Sequence, residues 1–322
     1  MPAGQVWAVN TLGGFLSNTK LSKRLRHKAQ PLLRFRQFAD MSDGSGKGRG
    51  DTHVFNKVSN ISTAGGTLVE TNTMPERQLT MTQGTMTITE YGNSIPFTFK
   101  LQLVSDFDVP EMIQKALTND MAKVLDSAAA AEFQSAHTKV VLVSTTSTVF
   151  TTNGTATSTA TANMGKANVK DMVDYLRRNN VPPYDGTNYV CVGSTELLSQ
   201  LKDDMESFDQ YTSEGQAQIR DGKFFPKYEG EVGRYYGCRF IEDTAILSNT
   251  KGNGSQYGEG VIFGADPVME AIALPEELRI KVAQDYGRSQ GIAWLYVGGF
   301  KLVWNRTVDP GGEFRAMHIT SG

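Results

Sequence analysis

Apolar and polar residues alternate from Phe97 to Leu103. Phe97, Phe99, Leu101 and Leu103 share one face, and Thr98, Lys100 and Gln102 share the other. That period of two predicts a strand. "TMTITEY", ending at Tyr91, alternates in the same way, and "THVFNKV" from Thr52 reads as an earlier strand. Gly65-Gly66, Met74-Pro75 and Gly92-Asn93 supply turn signals between them. Residues 52–104 thus predict a Thr-rich hairpin with few large apolar groups. Such a ribbon cannot bury both of its faces, so it is expected to project and pack on another chain.

At Asp108 the period changes. Ile113, Leu117, Met121, Val124, Leu125 and Ala128 recur at three and four residues. Asp108 is placed to cap this helix and Pro110 suits its first turn. Running from Pro110 to His137 it would reach about 42 Å, long enough to be a strut. Residues 144–162 are Thr/Ser-rich and read as a surface loop or short hairpin. A helix "NVKDMVDYLRRNN", a break at Pro182-Pro183, a buried strand "NYVCVGS" and a helix "STELLSQLKDD" capped by Ser194 or Thr195 follow. The remainder reads as strands: "GEVGRYYGCRFIED", "GVIFGAD", "VMEAIAL", "LRIKVAQDYG" and "GIAWLYVGGFKLVWNR". The fold class is α+β, with no repeat of 20 to 50 residues.

Charge adds an arm to this picture. Residues 1–39 hold Lys20, Lys23, Arg24, Arg26, Lys28, Arg34 and Arg36 and no Asp or Glu. With a chain total of −2 and an arm of +7, the remainder carries −9. Such asymmetry marks either an arm that meets a polyanion or a basic helix lying on its own acidic body. Leu21 and Leu25 share one helical face, and the arm is too polar to fold without a neighbour to lie on.

Candidate chemistry is thin. Cys191 and Cys238 are the only cysteines, which excludes a disulfide framework and a cysteine-rich metal site. Cys191 sits between valines and reads as core. His27, His53, His137 and His318 lie at no metal-ligand spacing. The acidic run Asp203, Asp204, Glu206 and Asp209 lacks calcium-loop spacing and reads as a solvated helix end. "GEVGRYYG" misplaces the third glycine of a dinucleotide turn, and no helix follows. Tyr235, Tyr236, Tyr286, Trp294, Tyr296 and Trp304 fall in predicted strands and read as packing residues. "MSDGSGKGRGDTHVF", residues 41–55, fails as a phosphate loop: Met41 stands where the first glycine belongs, and Gly48 replaces the Ser or Thr after Lys47. Arg49-Gly50-Asp51 is too short to carry an adhesion function. The stretch reads as a flexible hinge. No metal and no cofactor is expected. No apolar run nears the ~20 residues of a membrane span, and the N-terminus lacks a secretory pattern, so a soluble chain without membrane contact is expected.

In order, the parts are a basic arm, a ribbon, a strut helix, a mixed α/β region and returning strands. Their local texts resemble the major capsid proteins of tailed bacteriophages, the HK97-type fold, in the branch common among short-tailed phages. "RGDTHVF", "FKLQLVSDFDVPEMIQKALTNDMAKVLD", "RRNNVPPYDGTNYVCVGSTELLSQLKDD", "YEGEVGRYYGCRFIED" and "GFKLVWNR" carry the likeness, over roughly residues 10–307. The resemblance implies an N-terminal arm and hinge at 1–50 and an extended β-hairpin loop at 51–107. It implies a spine helix with part of a peripheral domain at 108–162, an axial domain at 163–268, and returning peripheral strands with a tail at 269–322. It implies hexamers and pentamers tiling an icosahedral shell round double-stranded DNA, in a virion assembled in the host cytoplasm. The seven cations of the arm would face DNA, by non-specific contact, or scaffold. Phe97, Phe99, Leu101 and Leu103 would lie on the inter-subunit ribbon. Further implied partners are a separate scaffolding protein, since only residues 1–50 precede the ribbon, a portal protein, and a decoration protein as an option. Two other classes stay in view: an encapsulin-like compartment shell enclosing protein cargo, and a hydrolase whose carboxylates no motif marks.

Overall fold

The computed structural model describes residues 33–44, 50–58, 66–68, 70, 73–74, 76, 79–155, 160–211, 228, 230–244, 258–282, 285–307, 309 and 312–321, with side chains of 205–211 left aside. Two sheets share one long helix, and a two-stranded ribbon forms a third, separate sheet. Residues 33–38 end in a short 3-10 turn, Arg36–Phe38, and enter β1 (Ala39–Asp43). β1 pairs parallel with β11 (Val268–Ile280), so Met41, Ser42 and Asp43 belong to a sheet. The hinge reading therefore fails for these three residues; residues 45–49, its glycine-rich part, lie outside the described set.

The ribbon is shorter than the alternation predicts. β2 (Thr52–Val58) and β3 (Met81–Thr87) pair antiparallel as an isolated two-stranded unit. β4 (Thr89–Thr98) leaves the ribbon and joins β12 (Ser289–Leu302) in a four-stranded sheet of order β1-β11-β12-β4. Gly92 and Asn93 make no turn: they lie within β4, where a Cβ at Gly92 would come 2.8 Å from the Trp294 carbonyl oxygen. Pro96 is tolerated because β4 is an edge strand. The sequence segments "VMEAIAL" and "LRIKVAQDYG" merge into one strand, β11, with register shifts between Ile272 and Glu277.

The strand predicted through Leu103 stops at Thr98. The Thr98 side chain accepts a hydrogen bond from the Leu101 backbone N–H at 3.3 Å and opens a short helix, α1 (Phe99–Val104). Helical spacing then divides the four apolar residues. Phe97 and Leu101 are buried; Phe99 and Leu103 are exposed.

α2 (Val109–Gln134) begins where the sequence places it. Asp108 accepts from the Glu111 N–H at 3.3 Å, and Pro110 occupies the first turn. Its 26 residues span about 39 Å. Ile113, Leu117 and Leu125 pack with Ile292, Trp294 and Tyr296 on the four-stranded sheet. Ala129, Ala130 and Phe133, nearer its C-terminus, pack into a second core with Phe35, Phe38, Val261 and Phe263.

That second core is one face of a seven-stranded sheet. β5 (Thr138–Ser144), β6 (Ser147–Thr151), β7 (Tyr189–Ser194), β8 (Glu231–Tyr235), β9 (Cys238–Asp243), β10 (Gly258–Phe263) and β13 (Ala316–Ser321) run in the order β6-β5-β13-β10-β7-β9-β8. α3 (Lys166–Arg178) and α4 (Thr195–Tyr211) cover the other face through Val169, Met172, Val173, Leu176, Leu197, Leu198 and Leu201. Both faces are covered, so β7 and β10 are buried at every residue. Ser194 caps α4, accepting from the Leu197 N–H at 3.3 Å. This sheet takes in β5, β6 and β13, which lie outside residues 163–268.

Gly84 stands directly across from Phe55 in the ribbon, and a Cβ there would lie 2.3 Å from the ring. Gly84→Ala displaces Phe55 from its buried seat and is expected to cost about 1–3 kcal/mol. Thermal unfolding checks it, with exposed Gln83→Ala unchanged as the control.

Candidate assembly surfaces and anchors

The chain fixes its N-terminal segment to α2 through one carboxylate. Asp126 Oδ1 accepts the backbone N–H groups of Phe35 and Arg36, each at 2.8 Å, and Oδ2 accepts that of Arg34 at 3.1 Å. Burial raises the Asp126 pKa; the three N–H donors oppose this, and Asp243 adds to it. Phe35 and Phe38 then lock into an aromatic cluster with Phe133, Phe263, Tyr184 and Tyr228. Tyr184 is pushed up to about 12, chiefly by burial.

Arg36 continues the anchor. Its guanidinium donates to Glu270 Oε1 and Glu276 Oε1, both at 2.9 Å, and lies 5.6 Å from the Tyr296 ring centroid. Tyr296 Oη donates to the same Glu270 at 2.8 Å. Burial alone would favour the neutral guanidine, but the bonds to Glu276 and Glu270 outweigh it and hold the Arg36 pKa above its ordinary value. The Arg36 contact holds the Glu276 carboxyl below the usual range. Arg36 thus holds two carboxylates of its own chain. Arg34 gives its backbone N–H to Asp126. Lys20, Lys23, Arg24, Arg26 and Lys28 lie outside the described residues.

The ribbon root is fixed by a second buried ion. Lys57 on β2 pairs with Asp309 and donates to the Val303 carbonyl at 3.1 Å. Trp304 and Phe55 flank its ammonium at 5.6 and 5.9 Å. Phe55, Met86, Ala271 and Val303 form the small apolar cluster around it.

Elsewhere several large apolar side chains lie exposed among the described residues. Phe99, Leu103 and Val104 on α1 are exposed, and the Phe99 N–H donates to the Arg288 carbonyl at 3.1 Å, which ties α1 to the β11–β12 turn. Ile280, Val282 and Tyr286 near that turn are 78, 84 and 106 % exposed. The strand expectation for Tyr286 fails because Asp285 and Tyr286 take positive φ, 52° and 54°. Trp294 and Tyr296 are buried packing residues as expected. Val54, Val58 and Met81 lie exposed on the ribbon. Phe97 and Leu101 are filled by their own chain's core, so of the four ribbon residues only Phe99 and Leu103 remain available to a neighbour.

No cluster of three His, Cys, Asp or Glu suited to a metal occurs among the described residues. No helix there is long and apolar enough to cross a membrane. His318 pairs with Glu259 and both are buried between β13 and β10. Cys191 and Cys238 are buried free thiols, and burial raises the Cys238 pKa well above its ordinary value.

The sequence profile described as phage capsid protein matches residues 82–316. The chain belongs to that family. No curated protein sequence matches it. Solved structures agree in fold. The capsid of Ralstonia phage GP4 is similar at 16 % identity and TM-score 0.66, covering 98 % of each chain. The acidic stable capsid structure of Helicobacter pylori bacteriophage KHP30 is similar at 12 % identity and TM-score 0.66, again with 98 % of each chain covered. Cyanophage Pam1 gives 14 % and 0.64, with 98 % of this chain and 99 % of that one covered. This phage capsid protein has the HK97-type fold and is a structural major capsid protein of the virion, not an enzyme. It self-assembles. The compartment-shell alternative gains no support from these likenesses.

Proposed function

We propose that this capsid protein forms hexamers and pentamers that tile an icosahedral shell around packaged double-stranded DNA. The apolar surface left bare on α1 and the β11–β12 turn supports this most directly. An isolated chain would expose it to water, and burying it between copies recovers about 25 cal/mol per Å². The seven-stranded unit with α3 and α4 would be the axial domain. The four-stranded sheet with the first half of α2 would be the peripheral domain. The β2–β3 ribbon, with Phe99 and Leu103 beside its return, would overlap a neighbouring subunit.

Lys20, Lys23, Arg24, Arg26 and Lys28 would meet DNA phosphates or a separate scaffolding protein, since neither contact needs base-specific geometry. A portal protein, and optionally a decoration protein, would complete the particle, built in the host cytoplasm. Negative-stain microscopy of the purified chain is expected to show capsomers or closed shells; a compact monomer overturns the reading. Replacing the five arm cations with Gln is expected to lower particle yield or genome retention. Full, infectious particles at normal yield would remove the arm from that role.

A further inference from the structure

The β8–β9 hairpin carries a side chain that its turn does not favour. Its two central residues, Tyr236 and Gly237, take positive φ, 49° and 76°. Two-residue turns of that kind prefer Asn, Asp or Gly at the first position, and a bulky residue there is an outlier. The Tyr236 side chain is nonetheless 39 % exposed at the hairpin tip. Arg177 Cζ lies 5.5 Å and Lys170 Nζ 6.0 Å from its ring centroid, both from exposed positions on α3. Neither cation belongs to an ion pair among the described residues. The acids of the same helix are used locally: Asp174 accepts the Tyr236 hydroxyl and Asp171 the Thr148 hydroxyl, each at 3.4 Å. An exposed aromatic beside two cations without acidic partners has the composition of an interface hot spot.

The complementary charge lies on the other side of the seven-stranded sheet. Asp40 on β1 and Asp266 just before β11 are exposed, and their carboxyls stand within hydrogen-bonding reach of each other. Burial, then the Asp266 charge, raises the Asp40 pKa, and no cation among the described residues opposes the rise. Asp266, like Tyr236, takes a positive φ of 49°. Both acids act on Tyr184, which packs on the core of Phe38 and Phe263, whereas α3 covers the opposite face of the sheet. The sheet stands between the two patches, so they do not meet within one chain. Unlike patches on opposite sides of one unit meet between copies in a head-to-tail contact, the kind that closes rings. A phosphate group would satisfy the cations alone; a second copy satisfies both patches.

We propose that Tyr236, Lys170 and Arg177 of one copy dock on the Asp40–Asp266 pair of the next copy around a capsomer. The inference rests on the shell reading and adds the residues that orient one ring contact. The two cations neutralise the two carboxylates, and the Tyr236 ring shields the contact from water.

Tyr236→Asn tests it first, because Asn suits the positive φ and leaves the hairpin intact. The thermal midpoint is expected to hold or rise, while capsomers counted by mass photometry fall about tenfold, the effect of losing one hot-spot side chain. A fall in both would make Tyr236 a structural residue and overturn the contact. Lys170→Glu with Arg177→Glu, and separately Asp40→Lys with Asp266→Asn, should lower assembly at least as far with circular dichroism unchanged. All four changes in one chain are expected to restore most capsomers, since the patches are again opposite in charge. Variants that assemble like the parent overturn the inference, as does a four-change chain no better than either pair. Loss of bound DNA with normal capsomers also overturns it and gives the basic face to nucleic acid. A parent chain that stays monomeric defeats the shell reading and this contact with it; parent capsomers with unaffected variants defeat this contact alone.

Discussion

Lys57→Met is expected to destabilise the ribbon root by about 3–5 kcal/mol, the cost of leaving one member of a buried ion pair alone. The Lys57 and Asp309 side chains are 6 and 2 % exposed, so water cannot replace the missing partner. Among the described residues, Asp309 then retains the Asn305 N–H at 2.6 Å, one neutral donor for a full charge. Lys57→Met combined with Asp309→Leu is expected to recover most of the loss, because a matched apolar pair in such a site is often neutral or better. Denaturant unfolding of the single and double variants gives the coupling. A single change costing under 1 kcal/mol would show that the pair contributes nothing to holding the ribbon.

Asp126→Ala should rank next. It orphans three backbone N–H groups, one of them buried, and each unsatisfied buried donor costs about 1–3 kcal/mol. A total near 3 kcal/mol is expected, with the greatest rise in hydrogen exchange at residues 34–36. Protection unchanged there would mean the aromatic cluster alone holds the segment. The pH dependence runs opposite to that of most paired acids. Burial raises the Asp126 pKa in the folded chain, so the folded state holds this proton more tightly than the unfolded state. The corresponding stability is present below the ordinary Asp value of about 3.9 and is lost as pH rises through the raised folded value. Relative to Asp126→Asn, the parent chain should therefore lose stability as pH climbs through that window.

Local pattern carried much of the fold. Thr52–Val58 alternates and is β2; Ile113, Leu117 and Leu125 repeat at helical spacing and face the core; the apolar run at Tyr189–Ser194 is buried on both sides. Where two periods fit the same letters, tertiary context decided. Phe97 to Leu103 alternates like a strand, yet Thr98 caps a helix there, which buries Leu101 and turns Leu103 outward.

The anchors were hidden for another reason. Lys57 falls where a polar face is expected, and its partner is 252 positions away in the chain. Asp126 left a local trace, a carboxylate beside Leu125 and one turn before Ala129 and Ala130 on a buried stripe. An acid there implies buried donors, but nothing in the letters says they come from residues 34–36. Arg36 looked like one more cation of the arm because Glu270 and Glu276 reach it only through the pairing of β1 with β11.

α2 places its first half against one sheet and its last turns against the other, with no break between Val109 and Gln134. It therefore acts as a stiff beam riveted at both ends, and neither sheet can tilt without carrying its companion. In the proposed shell, where copies would meet at different local curvatures, bending strain would be excluded from the girder. It would gather at the joints, above all where the two-stranded projection meets the body beside Lys57.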